Sequence, residues 1–123
     1  MHDQEVQDKF RRLVLQLASR TENGKIAWTD TGDADAFRAH MQGGMVRVQK
    51  RLRFDEEGHE AADYFLTLLD RNGRELEDYY PESLSMGYDF TNLANLWNLA
   101  RRSSRGSVDV LDELLKETAL EER

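Results

Sequence analysis

The sequence predicts a single α+β domain over residues 1–123: an N-terminal helix, an antiparallel β-meander of about four to five strands, and two C-terminal helices packed on the sheet. Apolar residues recur at helical spacing near both ends of the chain and alternate with polar residues in its middle. Turns rich in glycine, asparagine and aspartate separate the alternating segments. The 123 residues suffice for one hydrophobic core and are too few for two. Segregated helices and strands of this kind are typical of α+β proteins.

The first predicted element is a helix over residues 3–21. Its apolar residues lie three or four positions apart and therefore share one helical face: Val6, Phe10, Leu13, Val14 and Leu17. Asn23-Gly24 follows, and glycine readily adopts the left-handed conformation that commonly ends a helix. We expect this face to pack on the sheet.

The predicted strands begin after Gly24. A short strand contains Ile26 and Trp28, and a second strand has its apolar residues in alternation at Phe37, Ala39 and Met41. After the Gly43-Gly44 turn, the third strand places its apolar residues on one side, at Val46, Val48, Leu52 and Phe54. A fourth strand over residues 64–69 is apolar on both sides, which indicates an interior strand covered on both faces. An Asn-Gly hairpin leads to a short return strand over residues 74–76.

The last third of the chain predicts two helices, separated near Gly106. The first has an apolar stripe formed by Leu93, Leu96, Trp97 and Ala100. In the second, the apolar residues are expected to face inward and the acidic residues outward. The apolar residues concerned are Val108, Leu111, Leu114 and Leu115.

Composition excludes several classes of protein. The chain has no cysteine, so it forms no disulfide scaffold, zinc finger or iron–sulfur site and has no thiol nucleophile. No apolar run approaches the ~20 residues that cross a bilayer, and the polar, acidic first residues do not resemble a secretory signal. We therefore expect a cytoplasmic protein without membrane contact. The net charge of −7 disfavours general nucleic-acid binding, although a local basic patch stays compatible with it.

Two arginine clusters are the candidate binding residues in this acidic chain. Arg47, Arg51 and Arg53 share the side of the third strand that bears no acidic residue, and guanidinium groups there can bind phosphate or carboxylate. The alternative is a solvated face neutralised by acids of neighbouring strands. The second cluster, Arg101, Arg102 and Arg105, could bind an anion or simply complement the dipole at a helix end.

Residues 75–89 form an acidic and aromatic segment without a basic residue. Its tyrosines, Tyr79, Tyr80 and Tyr88, could dock a basic protein partner, because tyrosine is enriched at interfaces. Alternatively, these rings lean on the core next to Pro81. If uncharged or basic residues (Arg38, His40, Gln42 and Thr67) flank Arg47, Arg51 and Arg53, the arginines would attract this acidic segment of a second copy.

No motif predicts catalysis, a cofactor or a metal. The carboxylates of residues 30–35 do not match a calcium loop, since the glycine falls third and Met41 stands where the loop needs glutamate. His40 and His59 have no orienting partner that the sequence reveals. Nucleophile-elbow, zinc-helix, phosphate-loop and dinucleotide-loop motifs are all missing.

The leading functional hypothesis is a small protein-interaction or regulatory module without catalytic activity that associates with itself as a homodimer. One alternative is a nucleotide- or nucleic-acid-binding protein that uses its arginine-rich sheet face. The absence of aromatic residues beside Arg47 on its strand disfavours nucleic acid as the ligand. A second alternative is an enzyme that combines His40 or His59 with a carboxylate.

Overall fold

A computed structural model describes residues 2–33, 35–81 and 88–121. These residues form an N-terminal helix, a five-stranded antiparallel sheet and two C-terminal helices, which confirms the predicted α+β class. The elements are α1 (His2–Glu22), β1 (Thr29–Asp30), β2 (Ala36–Met41), β3 (Gly44–Phe54), β4 (Glu60–Leu69), β5 (Glu75–Tyr79), α2 (Asp89–Arg105) and α3 (Ser107–Glu121). The strands pair in chain order, β1-β2-β3-β4-β5, as expected for a meander. None of the described helices has both the length and the apolar character to cross a membrane.

The predicted N-terminal helix is confirmed, and Gly24 ends it. Gly24 has a φ of 72°, in the left-handed region that glycine adopts without steric cost. Its N–H donates to the carbonyl of Thr21 at 3.1 Å, and the N–H of Lys25 donates to the carbonyl of Arg20 at 2.8 Å. This pair of hydrogen bonds satisfies carbonyl groups that the helix itself leaves unpaired.

The core lies between the sheet and the first two helices. α2 contacts β1 to β4, and α1 packs along α2. We call the sheet face under these helices the inner face and the opposite one the outer face. Phe10 extends this core to β5, where its ring stacks on that of Tyr79 at 5.1 Å. The core residues include the apolar stripe predicted for α2, Leu93, Leu96, Trp97 and Ala100.

The first strand is shorter than predicted. β1 begins at Thr29, so Ile26 and Trp28 precede the strand. Trp28 is nevertheless a core residue, and its backbone N–H donates to the Ser103 hydroxyl at 3.1 Å. Its ring N–H donates to the Thr21 hydroxyl at 2.9 Å. Contacts to two helices therefore replace the strand pairing expected there.

The first half of β3 lies in the core, and its second half extends beyond the core. Val46 and Val48 are buried as predicted, but Leu52 is 50% exposed and Phe54 71% exposed, so the prediction is wrong for these two residues. β2 pairs with β3 only as far as Gln49, and β5 pairs with β4 only from Leu66 onward. The distal part of the β3–β4 hairpin thus extends beyond the neighbouring strands. β4 is an interior strand over residues 64–69, as predicted, with buried residues on both faces.

α3 departs most from the expectation. Val108, Leu111, Leu114 and Leu115 are expected to face inward, but each is between 50% and 66% exposed. Val110, the fifth apolar residue with a described side chain near them, is 57% exposed. Gly106 has a φ of 65° and caps the C-terminal end of α2, and α3 begins at the next residue. The element that α3 contacts appreciably is α2. α1 and α2 pack on the inner face, and no element among the described residues covers the apolar side of α3.

Candidate functional site

The arginines predicted on β3 lie on the outer face, as the alternation of side chains requires. The strand register places Arg38 of β2 directly opposite Arg47, and Thr67 of β4 on the other side. Both neighbours were expected from a simple meander. Asp78 of β5 continues this row across the sheet and accepts a hydrogen bond from the Thr67 hydroxyl at 2.8 Å.

Carboxylates of β4 and β5 neutralise part of this face. Arg47 Nη2 donates to Glu75 Oε1 at 2.7 Å. Arg53 Nε donates to Oδ2 of Asp63, a buried carboxylate, at 2.8 Å. Asp63 lies directly opposite Arg51 in the register. The expectation that only uncharged or basic residues flank the three arginines is therefore wrong, because β4 and β5 supply acids that reach them.

Contacts with an arginine and an aromatic ring bury Phe65 on the same face, over which no described helix or strand packs. Phe65 is buried on the outer face, with the Arg51 guanidinium 5.0 Å from its ring centroid and the Tyr80 ring 6.2 Å away. The aliphatic stem of a long charged side chain can cover apolar surface while its charged end stays in water. Phe65 is therefore not available as a platform for stacking a base.

Arg38 is a candidate that the sequence analysis counted as a neighbour and not as a site residue. No carboxylate pairs with it among the residues that the structure describes. The Nε atoms of Arg38 and Arg47 are both buried and have no acceptor in the described part of the chain. Like charges directly opposite each other in a sheet are destabilising, and Glu75 is the carboxylate that binds this pair among the described residues.

The second arginine cluster lies on α2, on the inner side of the sheet, so the structure does not join it to the first cluster. The Arg101 guanidinium lies 5.7 Å from the centroid of the Trp97 ring, and Lys50 Nζ lies 5.0 Å from it. Arg102 borders a cleft between the end of α1 and the start of α3. Arg105 is exposed in the last turn of α2, where a basic residue complements the helix dipole.

The three tyrosines of residues 75–89 have different environments. Tyr79 is 2% exposed and stacked on Phe10, so its ring packs on the core, which is the alternative given above for these tyrosines. Side-chain alternation in β5 turns its ring toward the inner face, where the core covers it. Tyr80 and Tyr88 are exposed and remain candidates. Residues 82–87, which belong to the same predicted surface, lie outside the described residues.

The apolar side of α3, which the sequence pattern predicts to be buried, is a further candidate surface because its side chains are half exposed or more. At 100° per residue, its five exposed apolar side chains span about half of the helix circumference. The remaining half bears four acidic residues and one lysine: Asp109, Asp112, Glu113, Glu117 and Lys116. We call these two halves the α3 apolar face and the α3 acidic face.

A shallow apolar groove of about 270 Å³ lies between α1 and the β4–β5 edge. Its apolar lining consists of Val6, Phe10, Leu13 and Leu68. Lys9 and Glu77 border it, and a second depression on the α1 side also includes Arg12. We call the first of these two depressions, the one between α1 and the β4–β5 edge, the α1–β4 groove.

The residues considered for catalysis and metal binding lie in turns or on exposed surface. His59 is exposed and lies 3.5 Å from carboxylate oxygens of Asp55 and Glu57, while His40 is exposed on β2. Asp30 and Asp33 accept hydrogen bonds from backbone N–H groups of Gly32 and Asp35. Aspartate side chains commonly make such bonds in polar turns. The described residues contain no cluster of acidic or histidine side chains suited to a metal ion.

Comparisons with protein-family models, with curated proteins and with solved structures find no match to this chain.

Proposed function

We propose that the protein is a protein-interaction module without catalytic activity that associates with itself. In this proposal, the α3 apolar face of one copy packs in the α1–β4 groove of a second copy. The uncovered α3 apolar face is the observation that carries the proposal. A cytoplasmic location fits the cysteine-free, acidic composition and is part of the proposal.

The energetics of α3 support an interaction role. Burying a leucine or valine side chain completely stabilises a protein by about 1.5–3 kcal/mol relative to full exposure. Each of the five apolar side chains of α3 keeps half or more of its surface in water. An isolated helix of 15 residues is marginal in water, and tertiary packing of its apolar face normally stabilises it. A partner on this face would therefore stabilise α3 as well as bind it.

The same chain offers a suitable receptor for α3. The α1–β4 groove has an apolar floor, and Lys9 and Arg12 lie on its α1 side. These cations suit the α3 acidic face, although Glu77 borders the opposite side of the groove. Lys9 contacts Glu5 at 3.2 Å in an exposed ion pair, which is weak and easily exchanged.

The groove lies beside the N-terminal half of α1, whereas α3 begins beside the C-terminal end of α1. Exchange between two copies would use each groove and each α3 once. When both contacts form between the same two copies, the interface has two-fold symmetry and yields a closed dimer. Pairing of two α3 helices with each other is less favourable, because four carboxylates on each would approach at the flanks.

Self-association through the arginines and residues 75–89 has less support than the α3 interface. Glu75 and Asp63 already bind Arg47 and Arg53 within the chain. Tyr79, part of the complementary surface, is buried.

Replacing Leu111 and Leu115 by glutamine tests the α3 interface. The double variant removes two apolar side chains from the α3 apolar face and keeps a good helix-forming residue at each position. We expect the parent to form dimers at micromolar concentrations in sedimentation velocity and light scattering. The double variant should dimerise at least tenfold more weakly.

Leu15→Gln is the matched control, since Leu15 is 54% exposed on α1 and outside the groove. A Lys9→Glu variant tests the receptor and should also weaken dimerisation, whereas Lys25→Glu should not. A parent that stays monomeric at high micromolar concentration would refute self-association. Loss of dimers in the α3 variant alone, with Lys9→Glu unaffected, would place the α3 helix on a different surface.

A further inference from the structure

We infer that the outer face binds the phosphate group of a small ligand between Arg38 and Arg47. This site is independent of the proposed dimer interface, because α3 and the α1–β4 groove are not on the outer face of the sheet. The site consists of Arg47, which is one of the predicted binding residues, and its cross-strand partner Arg38, which is not.

Charge balance at this pair is the first argument. Arg38 and Arg47 are directly opposite in the β2–β3 register, which places their Cβ atoms about 5 Å apart. One carboxylate, that of Glu75, binds Arg47 at 2.7 Å, and no carboxylate binds Arg38 among the described residues. An oxyanion between the two guanidinium groups would accept hydrogen bonds from both and remove their mutual repulsion.

The surroundings of the pair are the second argument. The neighbouring outer-face residues on β1, β2 and β3 are not acidic; they are Thr29, Ala36, His40, Met45 and Gln49. On the other side of Arg47, Thr67 of β4 separates it from Asp78 of β5 in the same row. The Nε atoms of both arginines are buried and have no acceptor in the described chain, so an anion would bind these arginines through their Nη groups. Arginine presents its donors in a rigid fork that suits the oxygens of phosphate.

The class of ligand follows from charge and size. A phosphate monoester has a second pKa near ~6 and is therefore close to dianionic at neutral pH, which matches two guanidinium groups. A nucleic-acid strand would pass over Glu75, Asp78 and Asp63, whose carboxylates repel its phosphates. It would also find Phe65 buried and not free for stacking. The outer face therefore favours one phosphate over a polyanion.

Titration of the full chain with inorganic phosphate tests the site. Backbone amides of β2 and β3 are followed in proton–nitrogen correlation spectra, with chloride used to hold ionic strength constant. We expect saturable shifts around Arg38 and Arg47, and a loss of affinity of at least tenfold in Arg38→Gln. Arg71→Gln removes an exposed arginine from the β4–β5 turn and should leave affinity unchanged. If Arg38→Gln alters the circular dichroism spectrum, Arg38→Lys provides the second variant, with a smaller loss of affinity because lysine lacks the fork.

Glu75 provides a reciprocal test. Its carboxylate competes with the ligand for Arg47, so Glu75→Gln should tighten phosphate binding several-fold. Glu77→Gln removes the same charge from β5 on the inner side, next to the α1–β4 groove, and should have little effect. Phosphate shifts that are absent, or that persist equally in Arg38→Gln, would overturn the inference. A failure of Glu75→Gln to tighten binding would overturn the placement at Arg47.

Adenosine monophosphate and a short single-stranded oligonucleotide distinguish the possible sources of the phosphate. Binding of the monophosphate at least as tight as that of inorganic phosphate supports a small ligand. Oligonucleotide affinity that rises with length and falls steeply with salt would overturn the small-ligand assignment in favour of nucleic acid. None of these measurements depends on whether the protein dimerises through α3.

Discussion

At the scale of single residues, Tyr79 illustrates how strongly environment separates side chains of one type. Its ring stacks on Phe10 with an interplanar angle of 8°, which joins α1 to the end of the sheet. Burial raises the pKa of Tyr79, and the nearby Asp89 carboxylate raises it further, while Arg11 acts in the opposite direction. Burial also raises the pKa values of Tyr64 and Tyr80. The folded state therefore favours the neutral phenol at all three positions.

The raised pKa values predict a loss of stability in alkali. A free tyrosine ionises near pH ~10, so above this pH the unfolded chain releases protons that the folded chain still holds. The free energy of unfolding should be unaffected by these groups below pH ~10 and should fall as pH rises above it. Tyr79→Phe should reduce this fall, as measured by urea unfolding at several alkaline pH values. Tyr88→Phe, which removes a largely exposed phenol, is the control. Equal alkaline slopes for the parent and Tyr79→Phe would contradict the argument.

At the scale of elements, the β3–β4 hairpin shows that one strand pattern can have two outcomes. Val48 and Leu66 are cross-strand partners in the core, and Leu52 and Ala62 are partners four residues further along the same two strands. All four have the same side-chain parity. Only the first pair lies within the five-stranded part of the sheet, and this explains why Leu52 is half exposed although its spacing is that of a core residue.

Alanine substitutions at the two ends of the hairpin should therefore differ in cost. Leu66→Ala leaves a cavity in a fully buried site and should lower the free energy of unfolding by about 2–5 kcal/mol. Leu52→Ala removes the same atoms from a half-exposed site and should cost about 1 kcal/mol or less. Trp97→Ala, on α2, should cost about 3–5 kcal/mol because its ring fills the core and its N–H donates to the Asp35 carbonyl. Urea unfolding of the three variants checks the order. Similar midpoints for Leu66→Ala and Leu52→Ala would refute this division of the hairpin.

At the scale of the whole molecule, the fold presents two different surfaces on its two sides. α1 and α2 complete the core on the inner face, and α3 adds an apolar face beside an acidic one. The outer face bears arginines and carboxylates that form ion pairs, and the charges of Arg38 and Arg47 are incompletely neutralised. Under the two proposals, one side binds protein and the other binds an anion, and the two sites are independent.

Hydrogen exchange should reveal the state of α3 in the intact protein. At low concentration, the amides of α3 should exchange faster than those of α2, because few apolar contacts protect α3 from local opening. At high concentration, association should slow exchange in α3 and leave α2 nearly unchanged. The Leu111→Gln, Leu115→Gln variant should lose this dependence on concentration. Exchange in α3 that is as slow as in α2 at every concentration would contradict both the exposure of this helix and its proposed role.

The sequence alone determined the types and order of the elements, because these depend on local properties. The spacing of Val6 to Leu17, the left-handed Gly24 and the Asn-Gly turn before β5 each act within a few residues of the chain. The placement of Arg47, Arg51 and Arg53 on a common face followed from side-chain alternation in the same way.

The tertiary structure decided which of these patterned faces are covered and which charges meet. Leu52, Phe54 and Leu111 have the spacing of buried residues, but burial requires a neighbouring element, and no described element covers them. The approach of Glu75 to Arg47 joins residues 28 positions apart and depends on the register of β3, β4 and β5. Periodicity specifies the side on which a residue lies. Only the packing of distant segments determines what, if anything, lies against it.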